Sequence, residues 1–156
     1  MDWFVRAFIK ASVAWLAAGV TLGVGMAVHA PWVVYRPAHL HLNLLGFVAM
    51  MIFGVGYHVL PRFAGHPLHR RDLAAAHWWL SNVGLILMAA GFILRPNGAA
   101  GTAAGAILTG AALSAAGAYA FAWNIWRTLD EAARAQRAAA AREAAGRSRP
   151  LPMALH

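Results

Sequence analysis

The sequence predicts an all-α integral membrane protein, a bundle of four spanning helices. Three observations lead there. Over 156 residues the chain is 61% hydrophobic and only 12% charged, a balance that soluble domains of this size rarely show. Its apolar residues gather into four runs, at about 8–28, 38–60, 73–94 and 101–126, each long enough to cross a bilayer. Its basic residues fall between and after those runs, as topology signals do. That placement also explains the net charge of +8 without invoking nucleic acid, which is not an expected partner. There is no cysteine, so disulfides, thiolate zinc sites and iron–sulfur clusters are excluded. A metal here must be held by histidine, with Met or Asn as weaker help.

The first span follows a short N-terminal segment bearing Trp3, Phe4, Arg6 and Lys10. It contains Gly19 and Gly23, a small-xxx-small pair suited to close helix packing. Val28-His29-Ala30 loosely resembles a signal-peptide cleavage site, but the apolar run is long and Pro31 would follow the cut. An uncleaved span is expected. Residues 29–37 read as a loop, with Trp32 and Tyr35 suited to the membrane interface.

The second span is the one around which the chain is organised. From Ala38 to Leu60 it has no Asp, Glu, Lys or Arg, and as a helix it reaches roughly 34 Å. Pro37 and Pro61 flank it, which suits a helix with fixed ends, and all seven prolines are expected outside the spans. Yet it holds His39, His41, Asn43 and His58, and ionisable groups inside a span are costly and usually functional. A second loop, 61–72, carries Arg62, His66, His69, Arg70 and Arg71. The third span begins near His77, Trp78 and Trp79 and ends in a tight turn at Arg95-Pro96-Asn97-Gly98. The fourth is rich in Gly and Ala, with Gly101 and Gly105 again four apart, and ends at the belt residues Trp123 and Trp126.

Two domains follow from this reading. Residues 1–126 form the four-span domain, and 127–156 form a basic, Ala-rich tail, helical to about residue 146 and disordered beyond Arg147. The N-terminal segment, second loop and tail hold eleven of the thirteen Lys and Arg; the first and third loops hold only Arg36 and Arg95. Both termini are therefore expected in the cytoplasm of a bacterial-type inner membrane. His39 and His41 then lie near the outer face, and His58 near the inner one.

Two residues apart on a helix, His39 and His41 point about 200° from one another, so one metal ion chelated by both is not expected. Two sites on opposite faces are natural. Neutral imidazole is a good axial ligand for haem iron, and a haem's apolar rim suits the space between membrane helices. Interhelical hydrogen bonding by both rings is the plainer reading of the spacing. His29 lies at similar depth, as a third ligand, a supporting hydrogen-bond partner or an ordinary interfacial residue. His58, His66, His69 and His77 lie toward the cytoplasmic side, where copper or zinc is a secondary expectation, with His58 and His77 the weaker metal candidates.

L-H-L-N-L-L-G-F, followed by I-F-G-V-G-Y-H-V-L-P-R-F, resembles the second helix of subunit I of the haem–copper oxidase and nitric oxide reductase superfamily. The resemblance is strong over about 25 residues and rests on hydropathy elsewhere. It implies that His41 is an axial ligand of a low-spin haem b near the outer face. The family's tenth helix carries an H-x-H pair ligating two haems, and His39-Leu40-His41 resembles that pair too. The implied cofactor is therefore haem b at His41 and His39; His29, by its depth, and Asn43 are the further cofactor-binding candidates. The chain departs from the family in having a third of its spans. It also has no adjacent histidines in a span and no H-x-x-x-Y, as an oxygen-reducing copper site would need.

The expected function is a membrane haem b protein for electron transfer or for binding a small gas such as nitric oxide or oxygen. A haem-free accessory or assembly subunit of a respiratory oxidase, and a His-based metal transporter, are the alternatives. A homotrimer is the expected assembly. One helix presents His39 and His41 on opposite faces, so a neighbour is needed to complete a haem site, and a closed ring makes every such pair equivalent. The resembled subunit I arranges twelve spans in three four-helix arcs, and three copies give the same number. A dimer sharing one haem on its axis is the other assembly.

Overall fold

The computed structural model describes residues 1–147, and within them the fold is entirely helical. Four helices are long and apolar enough to cross a membrane. The first is Trp3–Val28. The second is continuous but changes character along its length: α-helical over Arg36–His41, π-helical over Leu42–Ala49, and α-helical again over Met50–Ala64. The third is Arg71–Leu94 and the fourth Ala100–Arg147. The segment after Arg147, expected to be disordered, lies outside the described residues.

The third helix is the centre of the bundle. Of its most apolar stretch 44% is buried, against 11% for the first and the fourth. It packs most extensively on the fourth, and glycines set that closeness. A Cβ at Gly84 would lie 2.8 Å from the Gly110 carbonyl oxygen, and one at Gly110 would lie 2.5 Å from that of Gly84. Gly91 meets the fourth helix at Ala103 and Ile107 in the same way. Such backbone-to-backbone approach is how helices pack where lipid removes any hydrophobic drive for association. The outward faces carry Val13, Val20, Val24, Ile52, Val55, Ile86 and Leu108, all exposed, as suits surfaces that meet lipid rather than water.

Two proline expectations need correcting. Pro61 does not end the second helix: it lies inside Met50–Ala64, one turn before the end. The helix stops instead at Gly65, whose positive φ of 64° allows the left-handed cap in which Gly65 N–H donates to the Arg62 carbonyl and His66 N–H to that of Pro61. Likewise Pro37 lies in the first turn of its helix, where a missing N–H costs nothing. The segment read as the first loop is also partly ordered, with a 3₁₀ helix over Ala30–Tyr35.

The chain ends of the spans sort cleanly. Asp2 pairs with Arg71, tying the N-terminus to the second loop. That loop is clamped to the fourth helix. Arg70 N–H donates to Asn124 Oδ1 at 2.9 Å, Asn124 Nδ2 donates to the Arg70 carbonyl at 2.7 Å, and His69 N–H donates to Thr128 Oγ1 at 3.0 Å. The fourth helix runs on past this loop, and Gln136 Nε2 donates to the Ala64 carbonyl. At the opposite end, Asn97 Nδ2 donates to the Tyr35 hydroxyl and joins the first and third loops. The His39/His41 turn lies at this second end.

Candidate functional site

His39 and His41 turn to different neighbours. The His39 ring packs on the first helix, where a Cβ at Gly23 would lie 2.8 Å from its Cε1. Asn43 fills the adjoining notch at Gly19 in the same manner. The Gly19/Gly23 pair is therefore used inside the chain, as a slot for two polar side chains. His41 faces the third helix, its ring against Phe92 with centroids 4.8 Å apart. Both rings are half-buried.

The hydrogen bonds assign the tautomers. His39 Nδ1 lies 2.8 Å from the Gly19 carbonyl oxygen and His41 Nδ1 lies 2.8 Å from that of Pro37. A carbonyl can only accept, so in each ring Nδ1 carries the proton and donates it. Each Nε2 is then left with its lone pair, the form in which imidazole binds a metal. A backbone carbonyl on Nδ1–H is also the usual device that orients a ligating histidine and raises its basicity. Asn43 holds this turn by donating from Nδ2 to the His39 carbonyl at 2.8 Å.

The π-helical segment begins at Leu42, immediately after His41. Met50 N–H reaches back five residues to the Leu45 carbonyl. Such segments are rare and gather at functional sites, because the wider turn re-aims the residues on either side. Gly46 sits at the centre of this one. A Cβ there would lie 2.6 Å from Trp15 Cβ and 2.9 Å from Leu85 Cδ2, so the segment is wedged between the first and third helices. Nothing in the residue pattern announced the π-helix.

The family described as Cytochrome C and Quinol oxidase polypeptide I matches residues 4–143. The chain belongs to this family. The match takes in all four helices and most of the fourth helix's extension, far more than the motif of the second helix. The curated Cbb3-type cytochrome c oxidase subunit CcoN1 of Stutzerimonas stutzeri is similar, at 30% identity over 127 residues, covering 66% of this chain and 27% of that protein. The chain thus spans about a quarter of the length of that relative. The resemblance to haem–copper oxidase subunit I is borne out, and the family is one of haem-binding membrane proteins.

In this member of the oxidase subunit I family the other histidines are dispersed. His29 is exposed at the end of the first helix with its ring edge-on to Trp32. Arg62 Nη1 donates to His58 Nδ1 at 2.9 Å and also to the His58 carbonyl. His66 turns back on the Pro67 carbonyl, and His69 pairs with Glu131 at 2.8 Å. His77 is fully buried and shares a 3.1 Å hydrogen bond with the Tyr57 hydroxyl. The structure does not bring His58, His66, His69 and His77 together, and among the described residues no three His, Asp or Glu side chains converge as a metal site.

Proposed function

We propose that this chain is a membrane haem b protein of the oxidase subunit I family, serving electron transfer or the binding of a small gas. The observation that carries the reading is the His41 ring. Its Nδ1–H is spent on the Pro37 carbonyl, and its Nε2 is free at the edge of the bundle, beside an aromatic face that suits a porphyrin. His39, with the same tautomer on the other face of the helix, is the second ligand, and Asn43 fixes the turn between them. When bound, haem iron would supply one-electron chemistry or a gas-binding position, with His41 and His39 the residues that would hold it.

Because the two rings look to different helices, His41 of one copy and His39 of the next would complete a site between protomers. A homotrimer closes such a ring with every site equivalent. The termini would be cytoplasmic and the His39/His41 end would face outward, since eleven of thirteen Lys and Arg lie at the other end and in the tail. The four-span domain would then be 1–126, with 127–156 a cytoplasmic tail.

A pyridine haemochrome spectrum of the purified protein tests the reading. A b-type spectrum supports it. A haem-free preparation from haem-replete cells favours an accessory subunit instead. Native mass spectrometry in detergent tests the assembly: a haem-loaded monomer would sink the interface, and a dimer would sink the threefold ring.

A further inference from the structure

A second polar site lies inside the bundle, away from the His39/His41 turn. His77, on the third helix, has no exposed surface. Phe8, Phe53, Tyr57 and Phe121 surround its ring, with centroids between 4.6 and 5.8 Å away. One ring nitrogen is accounted for, since Nδ1 meets the Tyr57 hydroxyl at 3.1 Å. The other, Nε2, is buried with no protein partner. This holds for either tautomer: if Tyr57 donates, Nε2–H is an orphan donor, and if Nδ1–H donates, Nε2 is an orphan acceptor.

The Nε2 edge of the ring faces Gly117 of the fourth helix, close to Ser81. A Cβ at Gly117 would fall 2.9 Å from His77 Cδ2, the carbon bonded to Nε2, and 3.1 Å from Ser81 Oγ. Ser81 lines a cavity of about 40 Å³, together with Ser114, Phe53 and Ala118. Ser114 Oγ is likewise buried without a protein partner. Ser81 and the orphaned Ser114 hydroxyl thus border a space large enough for water, which needs roughly 10–15 Å³ and two to four polar partners, and Ser81, one helical turn from His77, lies beside the orphaned edge of the ring as well. On its other side Tyr57 lines an open pocket of about 380 Å³, with Asp2, Arg62, His66 and Arg71, at the end of the bundle that holds the second loop.

We propose that this cavity is a hydration site, and that Tyr57 and His77 connect it to solvent as a proton-exchange path. Water in the cavity bonds to Ser81, Ser114 and His77 Nε2, which satisfies groups that burial would otherwise penalise by the full cost of desolvation. Imidazole then passes protons through its ring. The relay exchanges protons without net transfer: as the Tyr57 hydroxyl gives one to Nδ1, Nε2 gives one to the cavity water, the same steps run in reverse return both, and the Tyr57 hydroxyl trades its proton with solvent at the open pocket. The path reaches the interior of the bundle and ends there. It does not depend on haem.

The test uses the full chain in lipid bilayers, with ¹⁵N-labelled histidine and magnetisation transfer from water to the ring nitrogens. His77→Asn assigns the signal. The expected result is transfer from water to His77 and ready exchange of its ring proton in D₂O. The paired Ser81→Ala, Ser114→Ala variant should lose the water contact while the Nδ1 shift that reports Tyr57 persists. Tyr57→Phe should slow the exchange severalfold. A wild-type ring that takes no magnetisation from water overturns the proposal. So does a Ser81→Ala, Ser114→Ala protein that keeps the contact unchanged, and that result remains readable even where Tyr57→Phe fails to fold.

Discussion

The two histidine environments of this chain are opposites. At one end, His39 and His41 are half-buried, spend Nδ1–H on backbone carbonyls, and keep Nε2 free. At the other, His77 is sealed in an aromatic cage with Nδ1 on a tyrosine. A carbonyl partner fixes one tautomer and so prepares a ligand. A hydroxyl partner can give or take the proton and fixes neither. Under the two proposals above, partners rather than burial separate a ring that would hold a metal from one that would pass a proton.

The largest effect to seek is one of compartment, since the contrast assumes that the two environments lie toward opposite faces of the membrane. Reporter fusions after Arg36 and after Arg71 should report opposite sides, the latter cytoplasmic. The same side from both would break the span assignment and the comparison together. Next is ligand loss. His41→Ala should abolish or nearly abolish the Soret band of the purified protein, while the haem-free variant differs from haem-free wild type by about 0.5 kcal/mol or less, as a half-exposed ring away from the core allows. A full haem complement in that variant would end the assignment of His41.

His77→Ala should show the reverse. It empties the space inside the ring of Phe8, Phe53 and Phe121 and leaves the Tyr57 hydroxyl without its partner. A large-to-small change of this kind costs about 2–5 kcal/mol. Thermal or denaturant unfolding in detergent should register it, with the haem band per folded protein unchanged. A smaller and subtler effect is expected at Gly23. Adding a methyl there meets the His39 ring at 2.8 Å, so Gly23→Ala should strain the packing by about 1–3 kcal/mol and shift His39. Electron paramagnetic resonance of the oxidised haem would detect altered axial ligation. An unchanged spectrum would remove His39 from the site and leave His41 alone.

Much of this fold was legible in the residues, because lipid imposes a simple rule. Every backbone polar group must be satisfied within the helix, so long apolar runs read directly as spans. The placement of His39 and His41 on different neighbours was legible from helical periodicity alone. Three features were not. Pro61 reads as a helix stop, yet the helix ends at Gly65, because a proline one turn from a glycine cap leaves the cap free to decide the end. The π-helical stretch after His41 depends on how Gly46 wedges against Trp15 and Leu85, which is tertiary information. The third is the tight glycine contact between the third and fourth helices. Gly84 and Gly91, like Gly110 and Gly117, stand seven apart, a spacing that marks one face of a helix without saying what that face meets.

That last point yields the smallest and sharpest prediction. The two four-residue pairs look alike in sequence and differ in space. Gly19 and Gly23 take the Asn43 and His39 side chains, whereas a Cβ at Gly101 or Gly105 would meet nothing within 4 Å. Within one chain, then, Gly101→Ala and Gly105→Ala should be neutral or gain up to about 1 kcal/mol, the usual advantage of alanine over glycine in a helix interior. Their remaining use would be against another copy, where small residues let two helix backbones approach closely. Native mass spectrometry of the paired variant separates these cases. An intact trimer with equal or higher thermal stability would place these glycines against lipid. Dissociation to folded monomers that lose haem would place them between protomers, and would tie completion of the His39/His41 site to the same contact.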